Sequence, residues 1–317
     1  MEDLPSEETE THGEGAAEMR EGPGSTPSPQ EHESLVRFVY ANLAIEDPGV
    51  TLREVRETCL ATPPSDRRPA LHRRPVEIRN LAQVREEIFV CAKQGRTLVE
   101  KLVLGLHRTL MKGVPEVPGD PLKPGEFRGP ADEHRFAGFK YLKKHRSVPW
   151  RIRSDLAALL EDTESGRLGP PDWGNAAGRF LYRFLRIHPF CDGNGRMARA
   201  LSTLLLARDL PEVLLFEKPV DEVILEHRDD YLDVLEYCDG VYEELAGEDI
   251  PEEAKLRRCE RPFSDFYARA VSRAYDEHLR KVRTEMAKAE SVPAEPQEPS
   301  PPSVGDLSSE SIKAVNP

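Results

Sequence analysis

The sequence lacks any run of about 20 apolar residues, the length a helix needs to cross a bilayer, and so predicts no membrane span. It begins with acidic residues, where a secretory signal would need a basic start and an apolar segment. Cysteine is scarce: the five in the chain form no CxxC pair, and their odd number leaves one over in any disulfide scheme. These absences favour a reducing compartment, most simply the cytoplasm.

Acidic charge is concentrated at the two ends of the chain. Residues 1–33 hold ten acidic residues against a single arginine, and residues 291–317 hold four against a single lysine, so most of the net charge of −13 lies there. Both stretches are rich in Pro, Ser, Gly and Glu and carry almost no aromatics, which predicts disorder. A docking or phosphorylation tail is the alternative. The part between them is nearly neutral, so the net charge says little about the partner of the folded part.

Helical periodicity dominates the central part, which is long enough for one large domain or two small ones. The predicted helix starts are the cap Ser34 and two capping boxes, Thr51 with Glu54 and Thr97 with Glu100.

One stretch departs from the helical pattern. HRFAGFKYL (134–142) alternates apolar and polar residues enough to predict a short β-hairpin. We therefore expect a mainly α fold with one small β element.

The stretch IHPFCDGNGRMAR (187–199) is poor material for a core and calls for another explanation. It lies between two predicted helices, and its two glycines let backbone amides approach a ligand closely. The loop leads into the N-terminus of the second helix, where free N–H groups and the helix dipole favour an anion. Arg196 and Arg199 project from one side of that first turn, and guanidinium groups suit phosphate oxygens. The pattern indicates a pocket for a polyphosphate.

Three further side chains of this stretch add chemistry to the anion site. Asp192 is placed to hold a Mg²⁺ ion that bridges phosphates. Asn194 can donate its amide to charge that develops on a reacting phosphate. His188 titrates near neutral pH and can take a proton from an attacking hydroxyl, while Phe190 is expected to anchor the loop.

Other interpretations of the same residues are weaker. A generic loop with a solvated pair of arginines would explain a lone DGNG, but not all of these elements at this spacing. No Gly-Lys-Ser/Thr follows, so the stretch is not a Walker P-loop. A metal site on His188 and Cys191 lacks a second His/Cys cluster to complete it.

His188 to Arg199 matches the HxFx(D/E)GNGRxxR signature of the Fic (fido) family at every specified position. The resemblance extends over roughly residues 35–245 through family-like segments, which are EIRN (77–80), LHRTLMKG (106–113), PGEFR (124–128), VP (148–149) and HRDDYLDVL (227–235). It implies a helical Fic fold with a β-hairpin flap over the active site. It also implies transfer of AMP from ATP to protein hydroxyls.

The resemblance assigns roles to the residues of the signature. It implies that His188 is the general base, that Asp192 binds Mg²⁺ and that Gly193, Asn194 and Gly195 form the anion hole. Arg196 and Arg199 would be phosphate ligands. Gly195 and Arg196 stand where the Doc-like kinases of the family carry Asn-Lys, which favours adenylyl over phosphoryl transfer.

A looser resemblance concerns the segment NLAIEDP (42–48). It is similar to the (S/T)xxxE(G/N) motif of family members with an inhibitory N-terminal helix, with Asn42 in place of Ser/Thr and Asp47 in place of Gly/Asn. The resemblance implies that Glu46 pairs with Arg199 and occupies the fork that would hold the γ-phosphate. Asn42 could still hydrogen-bond to hold the helix, and Asp47 could compete for the arginine. An ordinary exposed acid is the alternative for Glu46.

The flap also departs from the family pattern, because HRFAGF replaces its usual edge and KKHR (143–146) replaces a Pro-rich stretch. The basic run is interpreted as a solvated turn, with recognition of an acidic target segment as the alternative. The predicted organisation is a disordered tail (1–33), an inhibitory helix region (34–60), a linker (61–76), a Fic catalytic domain (77–250), a C-terminal helical extension (251–290) and a second disordered tail (291–317).

The sequence thus predicts an autoinhibited protein adenylyltransferase that uses ATP and Mg²⁺ and acts on Ser, Thr or Tyr hydroxyls. Two alternatives stay open: a phosphodiesterase that removes AMP, and a nucleotide-binding regulator with little turnover. The intact His188 argues against the regulator, since binding alone needs no base. The expected partners are a nucleotide and a protein substrate, with no nucleic acid and no membrane, and a homodimer stays open.

Overall fold

The computed structural model describes residues 28–61, 72–116, 122–136, 146–166 and 173–290. In these ranges the chain forms ten α-helices: α1 (Pro29–Ala44), α2 (Leu52–Leu60), α3 (Arg73–Lys93), α4 (Glu100–Met111), α5 (Ile152–Glu164), α6 (Trp173–Ile187), α7 (Asn194–Asp209), α8 (Val220–Glu226), α9 (Arg228–Leu245) and α10 (Glu252–Glu290). None of the described helices is long and apolar enough to span a bilayer.

The helices α6 and α7 lie at the centre of the bundle. On one side α6 packs against the long helix α10, and on the other α7 packs against α3. The contact between α6 and α10 is close because it uses glycines: a Cβ at Gly174 would lie 2.7 Å from the Cα of Ala268, and one at Gly178 would lie 2.9 Å from the Cβ of Tyr267. This packing fixes the loop between α6 and α7, which carries the Fic-like signature.

The first helix begins earlier than the sequence predicted. Ser28 is the N-cap, with Pro29 in the first turn and Glu31 completing a capping box. Ser34, predicted as the cap, lies inside the helix, where its buried hydroxyl donates to the carbonyl oxygen of Leu214 at 3.0 Å. The prediction is wrong because a stronger cap precedes it and a tertiary contact satisfies the serine.

Other helix starts agree only in part. Thr51 caps α2 and accepts the N–H of Glu54 at 3.2 Å, which is one half of the predicted box, while the Glu54 carboxylate pairs with Arg74. The box at Thr97 is not formed: α4 begins after Val99, and Glu164 accepts the N–H of Leu98 at 2.8 Å in its place. The last four residues of the predicted linker, 73–76, are the first turn of α3.

The predicted β-hairpin is not present where the structure describes it. No strand occurs in the described residues, and residues 134–136 belong to a 3₁₀ helix, Pro130–Phe136. The buried side chain of Asp132 fixes this turn, since it accepts the N–H of Gly129 at 2.6 Å and pairs with Lys123 at 2.7 Å. The rest of the predicted hairpin, residues 137–142, lies outside the described residues.

Candidate active site

The loop between α6 and α7, residues 188–193, is called the motif loop below. It begins at His188, whose φ is 49°, and ends at Gly193, which is the N-cap of α7 with a φ of 76°. A Cβ at Gly193 would lie 3.1 Å from side-chain atoms of both Leu110 and Met111 of α4. Only glycine combines this left-handed backbone with such a close approach to a neighbouring helix.

Asn194 braces the motif loop from the first residue of α7. Its Nδ2 donates to the carbonyl oxygen of Phe190 at 2.8 Å, and its Oδ1 accepts the N–H of Phe190 at 3.0 Å. Phe190 is fully buried and anchors the loop, as predicted. Because the Asn194 amide serves the loop on both its nitrogen and its oxygen, its predicted donation to a reacting phosphate stays a prediction.

A buried histidine of α4 holds the same loop from the other side. His107 stacks on Phe190 with ring centroids 3.6 Å apart. Its Nδ1 accepts the N–H of Gly125 at 2.9 Å, so its Nε2 carries the proton and donates to the carbonyl oxygen of Asp192 at 3.1 Å. Burial lowers the pKa of His107 to about 4, which keeps the ring neutral. The family likeness of the segment LHRTLMKG does not by itself predict that His107 holds the motif loop.

His188 is 6% exposed and has one defined tautomer. Its Nδ1 lies 3.1 Å from the carbonyl oxygen of Leu185, which can only accept, so Nδ1 carries the proton and Nε2 carries the lone pair. Burial, helped by the nearby positive charge of Arg128, lowers the pKa of His188 to about 3. The expected titration near neutral pH is therefore wrong for this structure. The ring is neutral over the physiological range.

Arg128 of the PGEFR segment clamps the start of the motif loop. Its Nε donates to the carbonyl oxygen of His188 at 2.5 Å, and its backbone N–H donates to the carbonyl oxygen of Pro189 at 2.9 Å. The same guanidinium donates to the carbonyl oxygen of Ser147 at 2.6 Å and pairs with Glu133. The side chain of Arg128 is fully buried. It fixes the position of the histidine backbone, a role that the sequence did not assign.

The two arginines of α7 are buried and paired. Arg199 donates from Nε to the side-chain oxygen of Asn42 at 3.0 Å and from Nη2 to the Asn42 carbonyl oxygen at 2.9 Å. Its Nη2 also contacts Glu46 Oε1 at 2.8 Å. The Nε of Arg196 lies 3.3 Å from Glu46 Oε2. The expected pair between Glu46 and Arg199 is thus formed, and Asn42 supplies a hydrogen bond of the kind foreseen for it.

The carboxylate of Glu46 lies over the first turn of α7. A Cβ at Gly195 would lie 2.3 Å from Glu46 Oε1 and 3.1 Å from Arg199 Nη1, so only glycine leaves room for the carboxylate there. A helix N-terminus is the place where an anion is most favoured. Glu46 therefore occupies the position that the sequence predicted for a phosphate group.

Asp47, the neighbouring acid, does not compete for Arg199. Its Oδ2 pairs with Arg74 Nη2 at 2.5 Å, and its Oδ1 accepts the N–H of Gly49 at 3.0 Å. The end of α1 is held in addition by Arg228, whose Nε donates to the carbonyl oxygen of Ile45 at 2.8 Å.

Asp192 lies among positive side chains. Its Oδ1 accepts the N–H of Gly193 at 2.6 Å and pairs with Arg196 Nη2 at 3.0 Å, while its Oδ2 pairs with Arg73 of α3. Burial raises the pKa of Asp192, but the two arginines outweigh burial and hold the pKa below its usual value. Glu77 connects both arginines, with Oε1 2.9 Å from Arg73 Nε and 2.8 Å from Arg196 Nη1.

The residues around Asp192 fit a divalent cation only together with a ligand. Among the described residues no group of three or more His, Cys, Asp or Glu side chains could enclose a metal. One carboxylate combined with phosphate oxygens is nevertheless an arrangement that Mg²⁺ accepts. A cleft of about 720 Å³ opens beside Asp192, Arg196 and Glu46, and could admit such a ligand.

Comparison with known proteins agrees with this geometry. Residues 97–206 match the model of the Fic/DOC family. A solved structure of a Fic family protein from Desulfovibrio desulfuricans G20 superposes with a TM-score of 0.57 at 26% identity, over 81% of this chain and 67% of that one. Fic-1 from C. elegans (residues 134–508) shares the fold, with a TM-score of 0.55 at 19% identity over 83% and 69% of the two chains. Residues 97–206 thus resemble a Fic domain in sequence, and the described helices resemble Fic proteins in fold.

Curated relatives are named "Protein adenylyltransferase Fic". The relative from Drosophila virilis is 29% identical over 195 residues, which cover 58% of this chain and 35% of that protein. The relative from Aedes aegypti is 25% identical over 266 residues, which cover 78% and 42%. The chain therefore spans less than half the length of either relative.

Proposed function

We propose that this protein transfers the adenylyl group of ATP to hydroxyl groups of Ser, Thr or Tyr in a protein substrate. The match of residues 97–206 to the Fic/DOC family model and the names of the curated relatives support a reaction of this type. The observation that carries the proposal is the position of the Glu46 carboxylate, an internal anion seated over Gly195 between Arg196 and Arg199. A site that attracts its own carboxylate has the charge and the space to hold a phosphate group.

One buried donor supports phosphate binding further. The Nε of Arg196 makes no hydrogen bond among the described residues, although it lies 3.3 Å from Glu46 Oε2. An unsatisfied donor on a buried charge is costly unless a ligand uses it. A phosphate oxygen would satisfy this group, and Arg199 would bind the same ligand once Glu46 has left.

The proposed reaction needs a base at the motif loop. The hydroxyl oxygen of the target attacks the α-phosphorus, its proton passes to His188 Nε2, and the bond to pyrophosphate breaks. The products are an AMP ester on the target and free pyrophosphate. His188 offers a positioned, unprotonated Nε2 for this step, because Leu185 fixes its tautomer, Arg128 fixes its backbone and the low pKa keeps the ring neutral. Asp192 would hold Mg²⁺, which supplies positive charge to the phosphates.

Glu46 would inhibit this reaction by taking the phosphate site. A charge-assisted hydrogen bond such as the one from Arg199 to Glu46 contributes about 1.5–3 kcal/mol. Because 1.4 kcal/mol corresponds to a factor of ten, the bound carboxylate would suppress productive ATP binding roughly ten- to a hundredfold.

The test is self-modification with ATP labelled at the α-phosphate, compared between the full-length chain and its Glu46→Gly variant. We expect faint labelling of the wild type and labelling stronger by roughly ten- to a hundredfold in Glu46→Gly. The matched control is Glu57→Gly, which removes an exposed acid of α2 whose nearest cation, Arg53, lies outside the site.

Each outcome has a distinct meaning. Equal labelling of wild type and Glu46→Gly would contradict inhibition by Glu46. Labelling by ATP that carries the label on the γ-phosphate, without labelling from the α-phosphate, would indicate a kinase. If neither variant is labelled but both release AMP from a modified protein, the chain is a phosphodiesterase, the alternative that the sequence left open.

A further inference from the structure

Glu46 is not the only side chain that occupies a ligand position in this site. Arg73, in the first turn of α3, pairs through Nη2 with Oδ2 of Asp192. Asp192 Oδ1 is taken by the N–H of Gly193 and by Arg196, both of which belong to the same loop and helix as Asp192 itself. Oδ2 is thus the oxygen whose partner comes from a separate helix, and both Asp192 and Arg73 line the cleft.

The contact between Arg73 and Asp192 is built to be released. The Arg73 side chain is 40% exposed, against 3% for Arg196. If it leaves Asp192, Arg73 keeps a second partner on its own helix, since its Nε lies 2.9 Å from Oε1 of Glu77. Its charge therefore stays paired without Asp192, and it can return to solvent at small cost.

We infer that Arg73 sets the divalent cation concentration that this site requires, because it occupies the Asp192 oxygen that the cation would bind. This inference rests on the proposed function for the identity of the reaction, but not for the contact itself. Arg73 and Glu46 then form a matched pair: a guanidinium stands where a cation would lie, and a carboxylate stands where a phosphate would lie. Each internal group neutralises the site in the absence of ligand.

Competition gives the direction of the effect. A cation that binds Asp192 must first separate it from Arg73, so the apparent affinity for the cation is reduced by the strength of that pair. Partly exposed ion pairs are worth less than buried ones. Removal of Arg73 should tighten cation binding about three- to tenfold. This factor lies between those that correspond to the free energies of an exposed ion pair and of a charge-assisted hydrogen bond.

The test measures cation binding to the full-length chain directly. Free Mn²⁺, which reports on the Mg²⁺ site, is followed by electron paramagnetic resonance in two arms, with Mn²⁺ alone and with Mn²⁺ and ATP. The variants are Arg73→Ala and its matched control Arg74→Ala. The control removes the same charge from the same cleft, but Arg74 pairs with Asp47 and Glu54 and not with Asp192.

In the arm with ATP, we expect Mn²⁺ to bind about three- to tenfold more tightly to Arg73→Ala than to wild type or Arg74→Ala, and the gain to vanish when Asp192→Ala is added. Thermal melting shows that each variant is folded. Equal binding by Arg73→Ala and Arg74→Ala, or no binding by any variant, overturns the inference.

The two arms separate this inference from the proposed function. Tighter binding of Mn²⁺ with ATP to Arg73→Ala, without labelling by Glu46→Gly, would support the role of Arg73 and contradict adenylyl transfer. Strong labelling by Glu46→Gly with unchanged Mn²⁺ binding in Arg73→Ala would support adenylyl transfer and contradict the role of Arg73.

Discussion

The motif loop and Glu46, which follows the end of α1, both lie at the N-terminal end of α7, yet they are held in different ways. His188 and Asn194 are 6% and 3% exposed, and the loop between them is bound through its backbone by buried groups from α4 and from Arg128. The side chain of Glu46 is 38% exposed and is held by ion pairs to Arg199 and Arg196. The difference indicates that the motif loop is a fixed part of the fold, whereas the partly exposed carboxylate is the more easily displaced.

Energetics point the same way. To move the motif loop, buried backbone groups must lose their partners, and each such loss costs about 1–3 kcal/mol. To move Glu46, a carboxylate that is already partly exposed returns to water, and under the proposed function a phosphate group would replace it beside both arginines. The pair is therefore a preorganised site with a releasable occupant, as inhibition by Glu46 requires.

The largest expected effect concerns the motif loop, the fixed one of these two regions. In the Glu46→Gly background, where the signal is strong, His188→Ala should lower AMP transfer by about two to four orders of magnitude, the usual contribution of a positioned base. ATP binding should change little, because the nucleotide would be held by Gly195, Arg196 and Arg199. The measurement is the rate of self-modification together with calorimetric titration of ATP.

The control for this variant is His227→Ala, a histidine at the start of α9 that pairs with Asp230. It should transfer AMP at the parental rate. Equal rates for the two histidine variants would remove His188 from the mechanism and would leave the motif loop as a binding element only.

The motif loop and the region of Glu46 also differ in how well the sequence predicted them. The signature residues are adjacent in sequence, so the helix-loop-helix pattern alone placed Gly193, Arg196 and Arg199 at a helix N-terminus. The predicted pair between Glu46 and Arg199 required a resemblance, since 153 positions separate the two residues. Its geometry is present even though Asn42 and Asp47 depart from the related motif.

The supporting residues were not predictable in the same way. His107, Arg128 and Arg73 reach the motif loop from three separate segments, and tertiary packing alone brings them there. The pKa of His188 follows from burial, which no local pattern shows, so a titration near neutral pH was expected where the structure gives about 3. The helix starts at Ser34 and Thr97 were wrong for the related reason that tertiary contacts satisfy these segments.

A second prediction tests the contact between Glu46 and the first turn of α7. In the wild type, Gly195→Ala forces the new Cβ against Glu46 Oε1, 2.3 Å away, and should expel the carboxylate and leave Arg199 buried with one partner fewer. The unfolding free energy should fall by about 1.5–3 kcal/mol. In Glu46→Gly the same change meets no carboxylate and should be neutral or slightly stabilising, because Ala favours helix over Gly.

The measurement is a double-mutant cycle in urea with four chains: wild type, each single variant and the combination. A coupling free energy near zero would mean that Glu46 does not rest on the first turn of α7 in solution. Stability is the cleaner measurement here, since a methyl group at Gly195 also narrows the proposed phosphate site.

The smallest effect concerns Asp47, the acid that stands where the related motif has Gly or Asn. Its partner is Arg74, and the two side chains are 53% and 37% exposed, so the pair is worth no more than about 1 kcal/mol. Asp47→Gly should therefore change the unfolding free energy by about 1 kcal/mol or less and leave self-labelling as faint as in the wild type. Asp47→Asn is the matched control: it removes the charge but keeps an oxygen for the N–H of Gly49, and so separates the ion pair from the turn. If Asp47→Gly instead labels as strongly as Glu46→Gly, Arg74 holds the whole segment in place. Release would then begin at the exposed end of the segment and not at the pair between Glu46 and Arg199.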